Sequence, residues 1–202
     1  MGDRREQSER PTASSPPLVE RTVPPGSDEY ARAVWRLKER IHRVEGLLDQ
    51  RRAFFDAVYR QSTCYLSIAV GSGDATRGRA VGAAGPGRGP GQRDAHTGAE
   101  SPSVGDVVGF AVVRADGYLS LLGVDPGHRR RGLGSRLLER VAADHPRVSC
   151  HVRTTNGGAI GFYADHGFLV RGTVEGYYRD GTAAYLLARD PDRADRLSDL
   201  LG

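Results

Sequence analysis

Val124-Asp125-Pro126-Gly127-His128-Arg129-Arg130-Arg131-Gly132-Leu133-Gly134-Ser135 is the stretch on which the reading of this chain turns. The apolar run Tyr118 to Val124 precedes it. Leu133, Leu137, Leu138, Val141 and Ala142 follow at helical spacing, with Pro146 just beyond. Gly132 and Gly134 remove side chains where a ligand must approach backbone N–H groups. The helix N-terminus and three arginines add positive charge, so the turn reads as a pyrophosphate cradle. A Walker A loop would need a lysine, and none is present; a Rossmann fingerprint would need a third glycine where Leu137 stands. A solvated arginine cluster ahead of a glycine helix start is the alternative, and the strand–Arg-x-x-Gly-x-Gly–helix order weighs against it.

Downstream, Val148 to Arg153 reads as a strand, Asn156 opens a helix ending near Gly167, and Phe168 to Val174 and Ala183 to Ala188 are further strands. Upstream, Gly109 to Arg114 pairs with Tyr118 to Val124 through the hairpin signal Asp116-Gly117. Leu18 to Val23 and Thr63 to Val70 are strands around a helical region over 28–61. Ser27 is its expected cap, with Asp28 and Glu29 in the first turn. Val34, Leu37, Ile41, Val44 and Leu48, then Phe54, Phe55, Val58 and Tyr59, form its expected apolar face, with a kink or break at Gly46. Strands alternating with amphipathic helices give an α/β (α+β) class.

The 202 residues hold 27 glycines and 11 prolines, unevenly spread. Between 71 and 104 there are nine glycines and three prolines with almost no large apolar side chain. Such a segment buries too little surface to offset its ordering entropy, so a disordered insertion is expected there. Residues 1–16 are expected to be a disordered tail, 17–190 the folded domain and 191–202 a C-terminal tail. Cys64 and Cys150 lie far apart within strands and read as buried reduced thiols, with no metal site expected. Net charge is +4 and finely mixed, which suits an anionic cofactor and gives little support for nucleic-acid binding. No secretory signal or membrane span is read, so the cytoplasm is the default.

Arg129-x-x-Gly132-x-Gly134 resembles the acyl-CoA motif of the GNAT N-acetyltransferase superfamily. Asn156-x-x-Ala159-Ile160-x-Phe162-Tyr163, followed by Gly167-Phe168, is similar to that superfamily's second motif. The resemblance covers roughly residues 105–190. It implies a central mixed, mostly antiparallel sheet, splayed at the cofactor site and flanked by about four helices. It further implies that acetyl-CoA is the co-substrate. Leu122, Gly123 and Val124 would meet the pantetheine arm, and Arg129, Arg130, Arg131, Gly132, Leu133, Gly134 and Ser135 the pyrophosphate. Asn156 would bond the cofactor arm, and Tyr163 would sit near the sulfur as general acid.

Bacterial ribosomal-protein alanine acetyltransferases of this superfamily carry a glutamate on the strand before the second motif; here that position is His151. The chain resembles the NatE-type catalytic subunits better, which pair a histidine there with a tyrosine matching Tyr118. By resemblance, His151 is the general base, alone or through a water held with Tyr118. Tyr177 and Tyr178 match a tyrosine pair that holds the acceptor backbone. Strand alternation independently puts His151 on one face with Ser149 and Arg153, and a histidine titrating near pH ~6.5 suits proton uptake at neutral pH. Each of these side chains also has an ordinary structural reading as a strand or hairpin residue. The expected acceptor is a primary amine, foremost a protein N-terminus. A small-molecule amine, or a non-catalytic acyl-CoA sensor, is the alternative.

Overall fold

The apolar runs on either side of Asp116-Gly117 close into a hairpin of β3 (Asp106–Arg114) and β4 (Leu119–Val124). Gly117, at φ 79°, supplies the left-handed turn. A computed structural model describes residues 17–70 and 105–189. The tail 1–16, the insertion 71–104 and the tail 191–202 expected above lie outside them. β1 (Leu18–Val23), β2 (Ser62–Ala69), β3 and β4 form an antiparallel sheet in that order. β3 is buried along nearly its whole length because helices cover both its faces.

On one face lie α1 (Ala31–Glu45) and α2 (Arg52–Arg60), which bury Val34, Leu37, Ile41, Phe55 and Tyr59 against Leu66, Phe110, Val112 and Leu121. The region 28–61 is thus two helices, and Gly46, at φ 68°, ends the first. Three features of this region differ from the expectation. Tyr30, not Ser27, is the residue before α1; Ser27 Oγ instead accepts the Glu29 N–H (3.1 Å), and no acid lies in the helix's first turn. Val44 is 64% exposed and Phe54 55% exposed. Leu48 lies in the connecting loop at φ 57° rather than on the helical face. The buried position between Leu37 and Ile41 is taken by Lys38, whose Nζ donates to Glu39 Oε1 (2.9 Å) and to the Gln50 carbonyl (2.8 Å).

On the other face, α3 (Leu133–Asp144) buries Leu133, Leu137, Leu138 and Val141 as its spacing predicts. Beyond it, β5 (Val148–Arg153), β7 (Ala184–Arg189) and β6 (Leu169–Val174) form a second antiparallel sheet in the order β5-β7-β6. α4 (Gly157–Asp165) connects β5 to β6. One apolar cluster joins Leu137, Leu138 and Val141 of α3 to Val148, Cys150 and Val152 of β5, Tyr163 of α4 and Leu187 of β7. That shared core holds the two sheets side by side.

Among the described residues, one backbone bridge links the two sheets. Tyr118 bridges Ser149 in parallel, and the Ser149 N–H donates to the Gly117 carbonyl (3.2 Å). Past it β4 carries a bulge at Ser120, where Leu119 pairs with Val113 and Leu121 with Val112. A bulge bends and twists its strand. From there to Val124 the second edge of β4 has no strand partner among the described residues. The sheet is splayed where the resemblance implied. No described helix is long and apolar enough to cross a membrane.

Candidate active site

The gap between β4 and β5 opens into a groove of about 1810 Å³. A pocket for one small ligand is roughly 300–1,000 Å³, so this volume suits two substrates meeting end to end. Leu122, Gly123, Val124, Arg129, Arg130, Gly132, Leu133, Gly134, Ser135, Asn156 and Tyr163 line it, as do Tyr118, His151, Tyr177 and Tyr178. Of the residues assigned a catalytic, cofactor or acceptor role from sequence, Arg131 is not among the lining residues.

At one end the chain leaves β4 through a short 3-10 turn, Pro126–His128, initiated by Asp125, whose Oδ1 accepts the Gly127 N–H (2.8 Å). Arg130 (φ 60°) and Gly132 (φ 75°) then adopt the left-handed conformation just before α3. Alternating backbone handedness of this kind turns successive N–H groups toward one concavity, an anion nest. α3 has no side-chain cap, so the N–H groups of Leu133, Gly134 and Ser135, which have no intrahelical partner, face the same place. A Cβ on Gly134 would lie 3.3 Å from the Phe162 ring, so the glycine keeps α4 close. An uncapped helix start, a nest and an unpaired strand edge fit the pyrophosphate and amide groups of acetyl-CoA.

Arg129, which lines the groove, is also engaged within the protein. Its Nε donates to the Val124 carbonyl (3.2 Å), and its two terminal nitrogens grip the Glu45 carboxylate, Nη2 to Oε2 at 2.7 Å. Asn156 also has a structural task, since its Oδ1 caps α4 by accepting the Ala159 N–H (3.0 Å).

At the other end, Tyr118 Oη lies 2.9 Å from His151 Nδ1 and 3.2 Å from Tyr177 Oη. The Tyr177 ring stacks on the His151 imidazole, with centroids 4.4 Å apart and planes 12° from parallel. Burial lowers the His151 pKa below its ordinary value, because the imidazolium is the form that loses hydration. Burial likewise raises the Tyr118 hydroxyl, which stays protonated. Tyr178 packs edge-on against Tyr177 and under the Arg153 guanidinium, 3.9 Å from the ring centre. Arg153 is tied to Asp180 (2.7 Å), so β5 anchors the loop that carries both tyrosines.

Between the two ends, Tyr163 is 7% exposed beside the Cys150 thiol, and burial raises its pKa well above the ordinary value. Burial also pushes the Cys150 thiol up to about 12, so it is no nucleophile at neutral pH. Both cysteines are free and buried. No group of three or more metal-ligating side chains occurs among the described residues.

The sequence pointed to no individual role for Glu45, Lys38, Arg153 or Asp180. Their roles depend on partners remote in the chain, and only the helix-face position of Lys38 carried a local signal.

Residues 94–170 match the acetyltransferase (GNAT) domain family. Over 99 residues the chain is 37% identical to the N-alpha-acetyltransferase RimI of Mycobacterium tuberculosis, covering 44% of this chain and 62% of that protein. It is 34% identical over 66 residues to the peptidyl-lysine N-acetyltransferase YiaC of Escherichia coli, covering 33% of this chain and 45% of that one. The chain therefore spans less than two thirds of the length of these curated relatives. The fold is shared with the ribosomal-protein-S18-alanine N-acetyltransferase of Escherichia coli (TM-score 0.57, 17% identity, 85% of this chain and 92% of the other). It is shared equally with Arabidopsis thaliana Naa50, crystallised with a bisubstrate analogue (TM-score 0.55, 18% identity, 86% and 98%).

Proposed function

We propose that this chain, which carries an acetyltransferase domain of the GNAT family, moves an acetyl group from acetyl-CoA to the N-terminal α-amine of a protein or peptide. The observation that carries the reading is the Tyr118–His151 hydrogen bond at the point where β4 and β5 part, inside the groove that also contains the anion nest.

Acetyl-CoA supplies the activated thioester; the chain's own groups handle the protons and the charge. Tyr118 and His151 share one proton position, so the pair accepts one proton from the incoming amine whichever partner donates in the resting state. N–H groups on the free edge of β4, near Val124, are available to the negative charge that develops on the carbonyl oxygen. Tyr163 stays protonated and is ready to hydrogen-bond the departing sulfur and to pass it a proton.

The base favours one class of amine. An α-amine titrates near ~8 and a lysine near ~10.4, so offering the lysine as free amine costs about 3.3 kcal/mol more at a given pH. His151, lowered below its ordinary pKa, suits the easier proton. The acceptor end of the groove mixes Asp49 and Asp180 with Arg51, Arg114, Arg153 and Arg179, which is a poor container for a polycationic small amine. The aromatic pair Tyr177 and Tyr178 offers two flat surfaces and two hydroxyls to an extended peptide backbone.

The test is a mass-spectrometric screen in which peptides with free α-amines, α-blocked peptides with internal lysines, and small amines compete for the same acetyl-CoA. Acetyl groups are expected on the α-amines. Modification of only the small amines would overturn the reading.

A further inference from the structure

α1 and the loop after it form one unit. His42 Nδ1 lies 3.0 Å from the Leu47 carbonyl, and buried Lys38 holds the Gln50 carbonyl at 2.8 Å. The loop 46–51 therefore moves with the helix. Leu47, Leu48, Asp49, Gln50 and Arg51 of that loop line the acceptor side of the groove.

The same helix is fastened to the cofactor turn. Arg40 pairs with Asp125 (2.9 Å), the residue that initiates the turn. Ile41 lies over Gly123, where a Cβ would come within 2.8 Å of its Cδ1. Glu45, the last residue of α1, receives both terminal nitrogens of Arg129 and is the more buried partner of the two. Three of the five N–H donors of Arg129 are thereby engaged with Val124 and Glu45, which leaves two for an anion. A phosphate at the nest then completes Arg129 without evicting the carboxylate.

We infer that Glu45 is a positioning residue: through Arg129 it registers the acceptor-lining loop 46–51 against the cofactor turn, so that binding of acetyl-CoA sets the acceptor wall. The inference rests on the acyl-transfer reading above. It concerns how the two ends communicate rather than which groups react. Its energetic content is a coupling between two binding events, carried by a contact that both bias.

The experiment uses the full chain with Glu45→Gln and Glu45→Asp. In the wild type, acetyl-CoA is expected to slow amide hydrogen exchange across residues 46–51. In Glu45→Gln that protection should disappear while the acetyl-CoA Kd stays within about twofold, and KM for the peptide should rise about fivefold with kcat little changed. Glu45→Asp, which keeps the charge, should recover part of both effects. Three results overturn the inference: equal protection of the loop in Glu45→Gln, a parallel loss of affinity for both substrates, or tighter acetyl-CoA binding, which would make the carboxylate a competitor of the phosphates. If the wild type acetylates no peptide, the acyl-transfer reading fails on its own, and the exchange measurement still decides the role of Glu45.

Discussion

The two ends of the groove are built from different materials. The end proposed for the cofactor is a single run of chain, Val124 to Ser135, and what it offers are backbone N–H groups presented by Arg130 and Gly132 in left-handed conformation and by the open first turn of α3. The end proposed for the acceptor is a collection of side chains from Tyr118, His151, Arg153, Tyr177 and Tyr178, with walls from the loop after α1. A backbone-built site depends on conformation and tolerates changes of side chain that keep it. A side-chain-built site depends on individual functional groups. Substitutions at the two ends should therefore fail in different ways.

The largest effect belongs to the acceptor end. His151→Ala removes the group proposed to take the amine's proton, and positioned bases of this kind contribute about 100-fold or more. Turnover is expected to fall by at least that factor, while acetyl-CoA Kd, measured by titration calorimetry, stays within about twofold. A variant that keeps its turnover would take His151 out of the chemistry.

The next effect belongs to the cofactor end. Gly132 holds φ 75° with open space around its missing Cβ, so a substitution there is penalised by conformation and not by collision. A β-branched side chain resists that backbone by about 1–2 kcal/mol. In Gly132→Val, acetyl-CoA Kd should rise about tenfold, with peptide KM at saturating acetyl-CoA little altered. Equal loss of both affinities would erase the distinction between the ends.

The same contrast explains what was legible in the sequence. The turn could be read because glycine spacing, the strand before it and the helix after it are local, and α3 buries the four leucine and valine positions its period indicates. Splaying between β4 and β5 followed from resemblance, and the Ser120 bulge that accompanies it left no compositional trace. In α1 the apolar period runs over Val34, Leu37 and Ile41, but Val44 turns outward and Lys38 inward. The reason is tertiary: the Gln50 carbonyl gives the buried ammonium a partner. Arg129 was legible as a cation and illegible as a strut, because its partner Glu45 lies 84 residues away. Tyr177 was expected to hold the acceptor backbone, and its stacking on His151 came from a pairing that no local pattern encodes.

That stacking yields the smallest effect and the one that separates the two roles of Tyr177. Its ring helps shield His151, and shielding lowers the imidazole pKa because the protonated form is the one deprived of water. As the proposed base, His151 must be neutral to act, so the acidic limb of kcat/KM against pH should lie below ~6.5, the ordinary histidine value. Activity falls as pH drops through that limb. Tyr177→Ala opens the imidazole to solvent, so the limb should move up toward ~6.5, with a few-fold loss of kcat/KM at neutral pH. Tyr177→Phe keeps the stacked ring and loses only the hydroxyl 3.2 Å from Tyr118, so its limb should stay where the wild type's is. If both variants move the limb equally, the hydroxyl link through Tyr118 sets the basicity of His151 and the ring does not. If neither moves it, Tyr177 serves the acceptor alone, and the acceptor end divides into a catalytic pair and a separate binding surface.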